Sequence, residues 1–170
     1  KDCAVGYFSE AQSTSCVECI AGYSDADSDP ATDCTDCVLG KHAPHGAYGV
    51  DESMFGCISC PVGWQDDDSD SATQCILCEI GRHQPDVMQT GCEDCARGLY
   101  QTQTGQGQCV HCVAGKFLDM LAGTSPDQCE DCPAGRYSPL SGRPSLDDCI
   151  SCTPGTYIDV TGSNEEGDCI

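Results

Sequence analysis

Eight C-x-x-C pairs punctuate this chain. They begin at Cys16, Cys34, Cys57, Cys75, Cys92, Cys109, Cys129 and Cys149, with Cys3 before the first pair and Cys169 after the last. The second cysteine of each pair, and Cys3 itself, is followed three residues later by glycine: Gly6, Gly22, Gly40, Gly63, Gly81, Gly98, Gly115, Gly135 and Gly155. Cutting between the two cysteines of every pair gives nine units of the form C-x-x-G…C, at residues 1–17, 18–35, 36–58, 59–76, 77–93, 94–110, 111–130, 131–150 and 151–170. The interval inside a unit varies from 12 residues between Cys3 and Cys16 to 19 between Cys37 and Cys57, whereas the spacer between units is always two. Variable length within and fixed length between marks the interior as a loop and the C-x-x-C as a joint.

Composition closes off the ordinary alternative. Leu, Ile, Val and Phe together number 26 of 170 residues, and the formal net charge is -21. Without cross-links that balance reads as disorder, because too little apolar surface is available to offset chain entropy of about 1–2 kcal/mol per residue. Eighteen cysteines supply the missing order, as in small disulfide scaffolds. The loops are rich in Asp, Ser, Thr, Gly and Pro, and no helical period is sustained. The expected fold class is therefore small disulfide-rich repeats: an elongated rod of nine one-disulfide modules, irregular with short β-ribbons and almost no helix. A residue three places past a cross-linked cysteine must turn the chain sharply, which glycine does at positive φ with little steric cost. An aromatic follows that glycine directly in Tyr7, Tyr23 and Trp64, or one residue later in Phe8, Tyr100, Phe117, Tyr137 and Tyr157. Such a ring is expected to lie on its own module's disulfide. Lys41-His42 and Arg82-His83 stand where two modules lack it.

The run Cys132-Pro-Ala-Gly135-Arg-Tyr137-Ser…Cys149-Ile-Ser-Cys152-Thr-Pro-Gly155-Thr-Tyr157 resembles the ephrin-receptor-like cysteine-rich repeat. It is also similar to the one-disulfide module of tumour-necrosis-factor-receptor ectodomains. The resemblance covers essentially the whole chain and implies an extracellular, elongated, non-catalytic array. Two connectivities remain open. If each unit closes on itself, the bridges are Cys3–Cys16, Cys19–Cys34, Cys37–Cys57, Cys60–Cys75, Cys78–Cys92, Cys95–Cys109, Cys112–Cys129, Cys132–Cys149 and Cys152–Cys169, and every cysteine is used. The other scheme interlocks neighbouring C-x-x-C pairs and strands Cys3 and Cys169; the self-closing scheme is favoured. Zinc ribbons also use C-x-x-C pairs about fifteen residues apart, but usually in basic intracellular chains. Redox chemistry would require a C-x-x-C at a helix start within a βαβ unit, so neither is adopted.

Charge bounds the partners. With 28 acidic residues against 7 basic ones, nucleic acid is not an expected partner, and no apolar run approaches the ~20 residues of a membrane span. The chain begins Lys-Asp-Cys rather than with Met and is read as a mature form or excerpt. Its one Asn, Asn164, lies outside any N-glycosylation sequon, while O-glycans are left open. Two acidic runs place Asp25, Asp27 and Asp29, and Asp66, Asp68 and Asp70, at alternate positions as in Ca²⁺ loops. Pro30 and Ser71 occupy the place of the EF-hand glycine, so calcium is a weak candidate and no cofactor is otherwise expected. His42 and His45 are read as exposed loop histidines, and no nucleophile motif marks an enzyme. The favoured function is an extracellular or secreted structural segment of a stalk, matrix fibre or cell-surface filament, partnered by copies of itself or by neighbouring segments of a longer chain. The alternative is a ligand-binding or adhesion ectodomain that meets a basic protein.

Overall fold

The computed structural model describes residues 3, 4, 6–9, 13–25, 27, 29, 31–44, 47, 48 and 56–170, with the backbone alone at 47 and 48; His45 and Pro30 lie outside them. Contacts gather the chain into two compact units, residues 1–77 with 84–92, and residues 78–83 with 93–170. Both follow the same local rule. Disulfides join Cys3–Cys16, Cys19–Cys34, Cys37–Cys57, Cys60–Cys75, Cys95–Cys109, Cys112–Cys129, Cys132–Cys149 and Cys152–Cys169, with Cα separations of 5.6–5.8 Å. Cys78 and Cys92 are disulfide-bonded as well, and none of the described cysteines is free. Closing a loop of this size removes about 3 kcal/mol of unfolded-state entropy in the chain-entropy account.

The two residues inside every C-x-x-C form a strand. Each strand pairs antiparallel with the residues that follow the preceding glycine. The ribbons are Tyr7–Phe8 with Val17–Glu18, Tyr23–Asp25 with Thr35–Asp36, Lys41–His42 with Ile58–Ser59, and Trp64–Gln65 with Ile76–Leu77. They continue as Arg82–His83 with Glu93–Asp94, Leu99–Tyr100 with Val110–His111, Lys116–Phe117 with Glu130–Asp131, and Arg136–Tyr137 with Ile150–Ser151. The Tyr23–Asp25 strand also pairs in parallel with Ala47–Tyr48. The next opening cysteine then donates its N–H to the glycine carbonyl, as Cys19, Cys37, Cys60, Cys95, Cys112, Cys132 and Cys152 do at 2.8–3.0 Å. The joint is thus half of a ribbon. Two of the few cations brace it across the strands, Arg82 on Asp94 at 2.7 Å and Lys116 on Asp131 at 2.6 Å. Helical structure among the described residues is confined to the 3₁₀ turns Pro126–Gln128, Leu146–Asp148 and Glu166–Asp168, each ending just before a closing cysteine. Ser125 and Gln128 form a capping box around the first.

One position organises the packing of successive modules: from the second module on, the third residue after the turn glycine. In the first compact unit, Gly6 N–H donates to Asp25 Oδ2 (3.2 Å), Gly22 N–H to Ala43 O (3.0 Å), Gly40 N–H to Asp66 Oδ2 (3.0 Å) and Gly63 N–H to Gln84 O (2.9 Å). In the second, Gly81, Gly98, Gly115 and Gly135 donate to the carbonyls of Gln101, Leu118, Ser138 and Ile158, all at 2.8 Å. These acceptors stand in the following module, and all eight are buried. Several also donate onward: Ala43 to Ser71 O, Asp66 to Gln89 O, Gln101 to Gly123 O, Leu118 to Arg143 O and Ser138 to Ser163 O, at 2.8–3.0 Å. One buried residue thereby links three consecutive modules, through its backbone alone at Ala43, Gln101, Leu118 and Ser138 and through its carboxylate as well at Asp66. A carboxylate replaces the acceptor carbonyl only in the two modules with acidic runs.

The rings correct an expectation. Tyr100 packs on Cys112–Cys129, and Phe117 packs on Cys132–Cys149; each is the disulfide of the next module. The side chain over a module's own bridge comes from the buried position instead, as with Leu118 on Cys112–Cys129 and Ala43 on Cys37–Cys57. The cause is the ribbon. Its second strand is the joint leading into the next module, so the ring two residues past glycine faces forward. The histidines take the same place: His42 Nδ1 lies 3.5 Å from Cys75 Sγ, and His83 lies beside Cys95 and Cys109.

Candidate functional site

Modules that begin Gly22-Tyr23 and Gly63-Trp64 carry their aromatic one residue early. Side chains alternate faces along a strand, so these rings leave the forward face. Polar Ser24, which is buried, and Gln65, whose Oε1 accepts the Cys92 N–H at 2.6 Å, take the inner place. Each displaced ring walls a shallow recess. The first encloses about 590 Å³ between Phe8, Val17, Glu18, Ile20, Tyr23, Asp33 and Cys34. The second encloses about 410 Å³ between His42, Ile58, Ser59, Pro61, Trp64, Gln74 and Cys75. Aligned on their cysteines, the two sets occupy identical places in the repeat. Phe8 answers to His42, Val17 to Ile58, Ile20 to Pro61 and Tyr23 to Trp64. The carboxylates Glu18 and Asp33 answer to the uncharged Ser59 and Gln74. Val17, Ile20 and Tyr23 expose 46%, 59% and 37% of their surface, so the first recess presents an apolar floor to solvent beside two acids.

Sequence reading did not find these recesses. Their one signal was the early position of Tyr23 and Trp64, which reads as scatter in a loose motif until the ribbon fixes which face each position takes.

The aspartates of the acidic runs go elsewhere. Asp25 and Asp66 are buried as the acceptors of Gly6 and Gly40. Asp25 Oδ1 is buried without a hydrogen-bond partner among the described residues. Asp27 Oδ1 accepts from Asp29 N–H (3.0 Å) and the Thr32 hydroxyl (2.8 Å), and Asp29 Oδ1 accepts from Ala31 N–H (2.9 Å). The second run repeats this: Asp68 Oδ1 accepts from Asp70 N–H and Thr73 Oγ1, both at 2.9 Å, and Asp70 Oδ1 from Ala72 N–H at 2.9 Å. The amide of Asp29, then the Thr32 hydroxyl, holds the Asp27 carboxyl below its ordinary value; the amide of Asp70, then Thr73, does so for Asp68. Neither trio of carboxylates converges on a common point. His83, Cys95 and Cys109 do converge among the described residues, but both sulfurs belong to one disulfide and offer no thiolate. The Nδ1–H of His83 donates to Glu93 O at 3.2 Å.

Nine turn glycines, a ribbon at every joint and bridges that close within modules define a disulfide-stapled repeat array. A family model described as tyrosine-protein kinase ephrin type A/B receptor-like matches residues 86–129 and 120–169. Residues 86–169 are thus an ephrin-receptor-like cysteine-rich repeat array, and the same cysteine and glycine spacing runs through the preceding modules. No curated protein matches it. Such a disulfide-rich module suggests an extracellular, receptor-like domain. No helix among the described residues is long and apolar enough to cross a membrane.

Proposed function

We propose that the chain is a non-catalytic extracellular structural segment, a stapled spacer within a surface or matrix protein. The observation that supports this reading best is the buried position that ties each turn glycine to the next module, repeated from Gly6 to Gly135. A binding module spends its exposed residues on a partner; here the recurrent feature is module-to-module adhesion, combined with bridges that stop loops from paying out under tension. An unfolded, reduced module of ~18 residues would reach about 60 Å. With its bridge intact, the path runs through the disulfide and the two joint residues alone, roughly 17 Å. Pulling single molecules by their ends tests this. Oxidised chains should lengthen by less than a third of what reduced chains do; equal lengthening would remove the basis for a spacer.

A second reading, an adhesion or ligand-binding ectodomain, is favoured by the two equivalent recesses, since exposed aromatic and aliphatic walls are what partner side chains fill.

A further inference from the structure

We propose that the first recess takes an arginine and its aliphatic neighbour from a basic partner protein, and that the second recess is its uncharged counterpart. The inference rests on the ligand-binding reading above and names the chemistry that would be recognised. The lining combines the rings of Phe8 and Tyr23 and the aliphatic Val17 and Ile20 with the carboxylates Glu18 and Asp33. A guanidinium is the cation suited to that combination, because it stacks on an aromatic face while donating to a carboxylate. The surrounding field has the matching sign. Residues 2–40 contain eight carboxylates and neither Lys nor Arg. A basic segment is therefore drawn to this end of the chain and kept there by a surface that also accepts apolar groups. The second recess keeps the ring, Trp64, and the aliphatic wall, Ile58 and Pro61, but has Ser59 and Gln74 where the acids stand. The molecule thus carries its own control: a smaller recess at the equivalent place in the repeat, without the two lining acids.

The probes are two acetylated, amidated peptides, Leu-Arg-Leu-Arg and Leu-Gln-Leu-Gln, titrated into the intact oxidised chain. The readouts are NMR shifts of the Tyr23 ring and the Val17, Ile20 and Ile58 methyls, with the Trp64 indole. Saturable shifts at Tyr23, Val17 and Ile20 with the arginine peptide are expected. Affinity should fall about tenfold for the glutamine peptide, for Asp33→Asn and for Tyr23→Ala, and should weaken at high salt. Asp33 and Tyr23 are exposed, so these variants should keep the wild-type disulfides and spectrum. Equal affinity for both peptides at the first recess would leave ligand binding standing and overturn the arginine assignment. Shifts spread evenly over the acidic turns mean counter-ion attraction alone and also overturn it. Absence of any shift at either recess would remove the ligand-binding reading along with it.

Discussion

At the scale of single residues, the turn glycines share one conformation and differ in what surrounds them. All nine have φ between 77° and 97°, so each alanine variant incurs left-handed strain of about 1–2 kcal/mol. Space separates them further. A Cβ on Gly115 would overlap the Gly162 carbonyl, whereas one on Gly135 would meet nothing within 4 Å. Gly115→Ala should therefore cost well over the strain alone, about 3 kcal/mol or more, and Gly135→Ala no more than about 2 kcal/mol. Denaturant melts of the two variants in the oxidised state check this, and equal losses would contradict the close approach of modules two apart. The acceptor side of the same contact can be probed at Asp66. Removing its carboxylate leaves the buried Gly40 N–H without a partner, which costs about 1–3 kcal/mol. Asp66→Ala should lose that much, and Asp66→Asn, which retains an acceptor oxygen, should recover most of it.

Among the elements, the acidic runs behave as turns braced by their own backbone. The carboxyls of Asp27 and Asp68 are held low by amides two residues on, then by Thr32 and Thr73. A lowered folded value means that folding favours the ionised form. The stabilisation is complete above the unfolded aspartate value of about 3.9 and is lost as pH falls through the lower folded one. Carboxyl carbon titrations should give Asp27 and Asp68 midpoints below that ordinary value, with the Asp29 and Asp70 amides losing exchange protection as the pH drops past them. A midpoint at or above it would show that the turns form without the ionised cap. These elements also mark how far sequence reading reaches. The ribbons were legible because Cys, Gly and a two-residue spacer recur in phase, and covalent closure leaves such a spacer few options. The buried linking position was not. It reads Asp25, Ala43, Asp66, Gln84, Gln101, Leu118, Ser138 and Ile158, with no shared chemistry, because at most modules its backbone makes the contact. The forward-facing rings were misassigned for a related reason: a motif shows that a ring follows glycine, but only the pairing of strands shows which disulfide it meets.

At the scale of the whole molecule, the buried apolar side chains of the described residues gather in small clusters around disulfides, and this sets how damage should spread. Within the second compact unit, Cys112–Cys129 supports Leu118 from its own module and Tyr100 from the one before. Leu118 in turn accepts from Gly98 and donates to Arg143, so removing that bridge releases a ring, a buried aliphatic and two inter-module hydrogen bonds together. The Cys112→Ser, Cys129→Ser double variant should lose exchange protection at the Gly98, Leu118 and Gly142 amides. Protection at the Gly22 amide, held by Ala43 O in the first compact unit, should stay at the wild-type level, as expected where stability is a sum of neighbour terms. Hydrogen-exchange mass spectrometry on the oxidised variant resolves these amides by segment. Uniform loss along the chain would instead mean a single cooperative body, in which the disulfides trim the unfolded state but do not localise the folded one. Full reduction with capped thiols is the limiting case: with only 26 Leu, Ile, Val and Phe residues, protection should vanish everywhere, because the buried apolar clusters of the described residues are built around the bridges themselves.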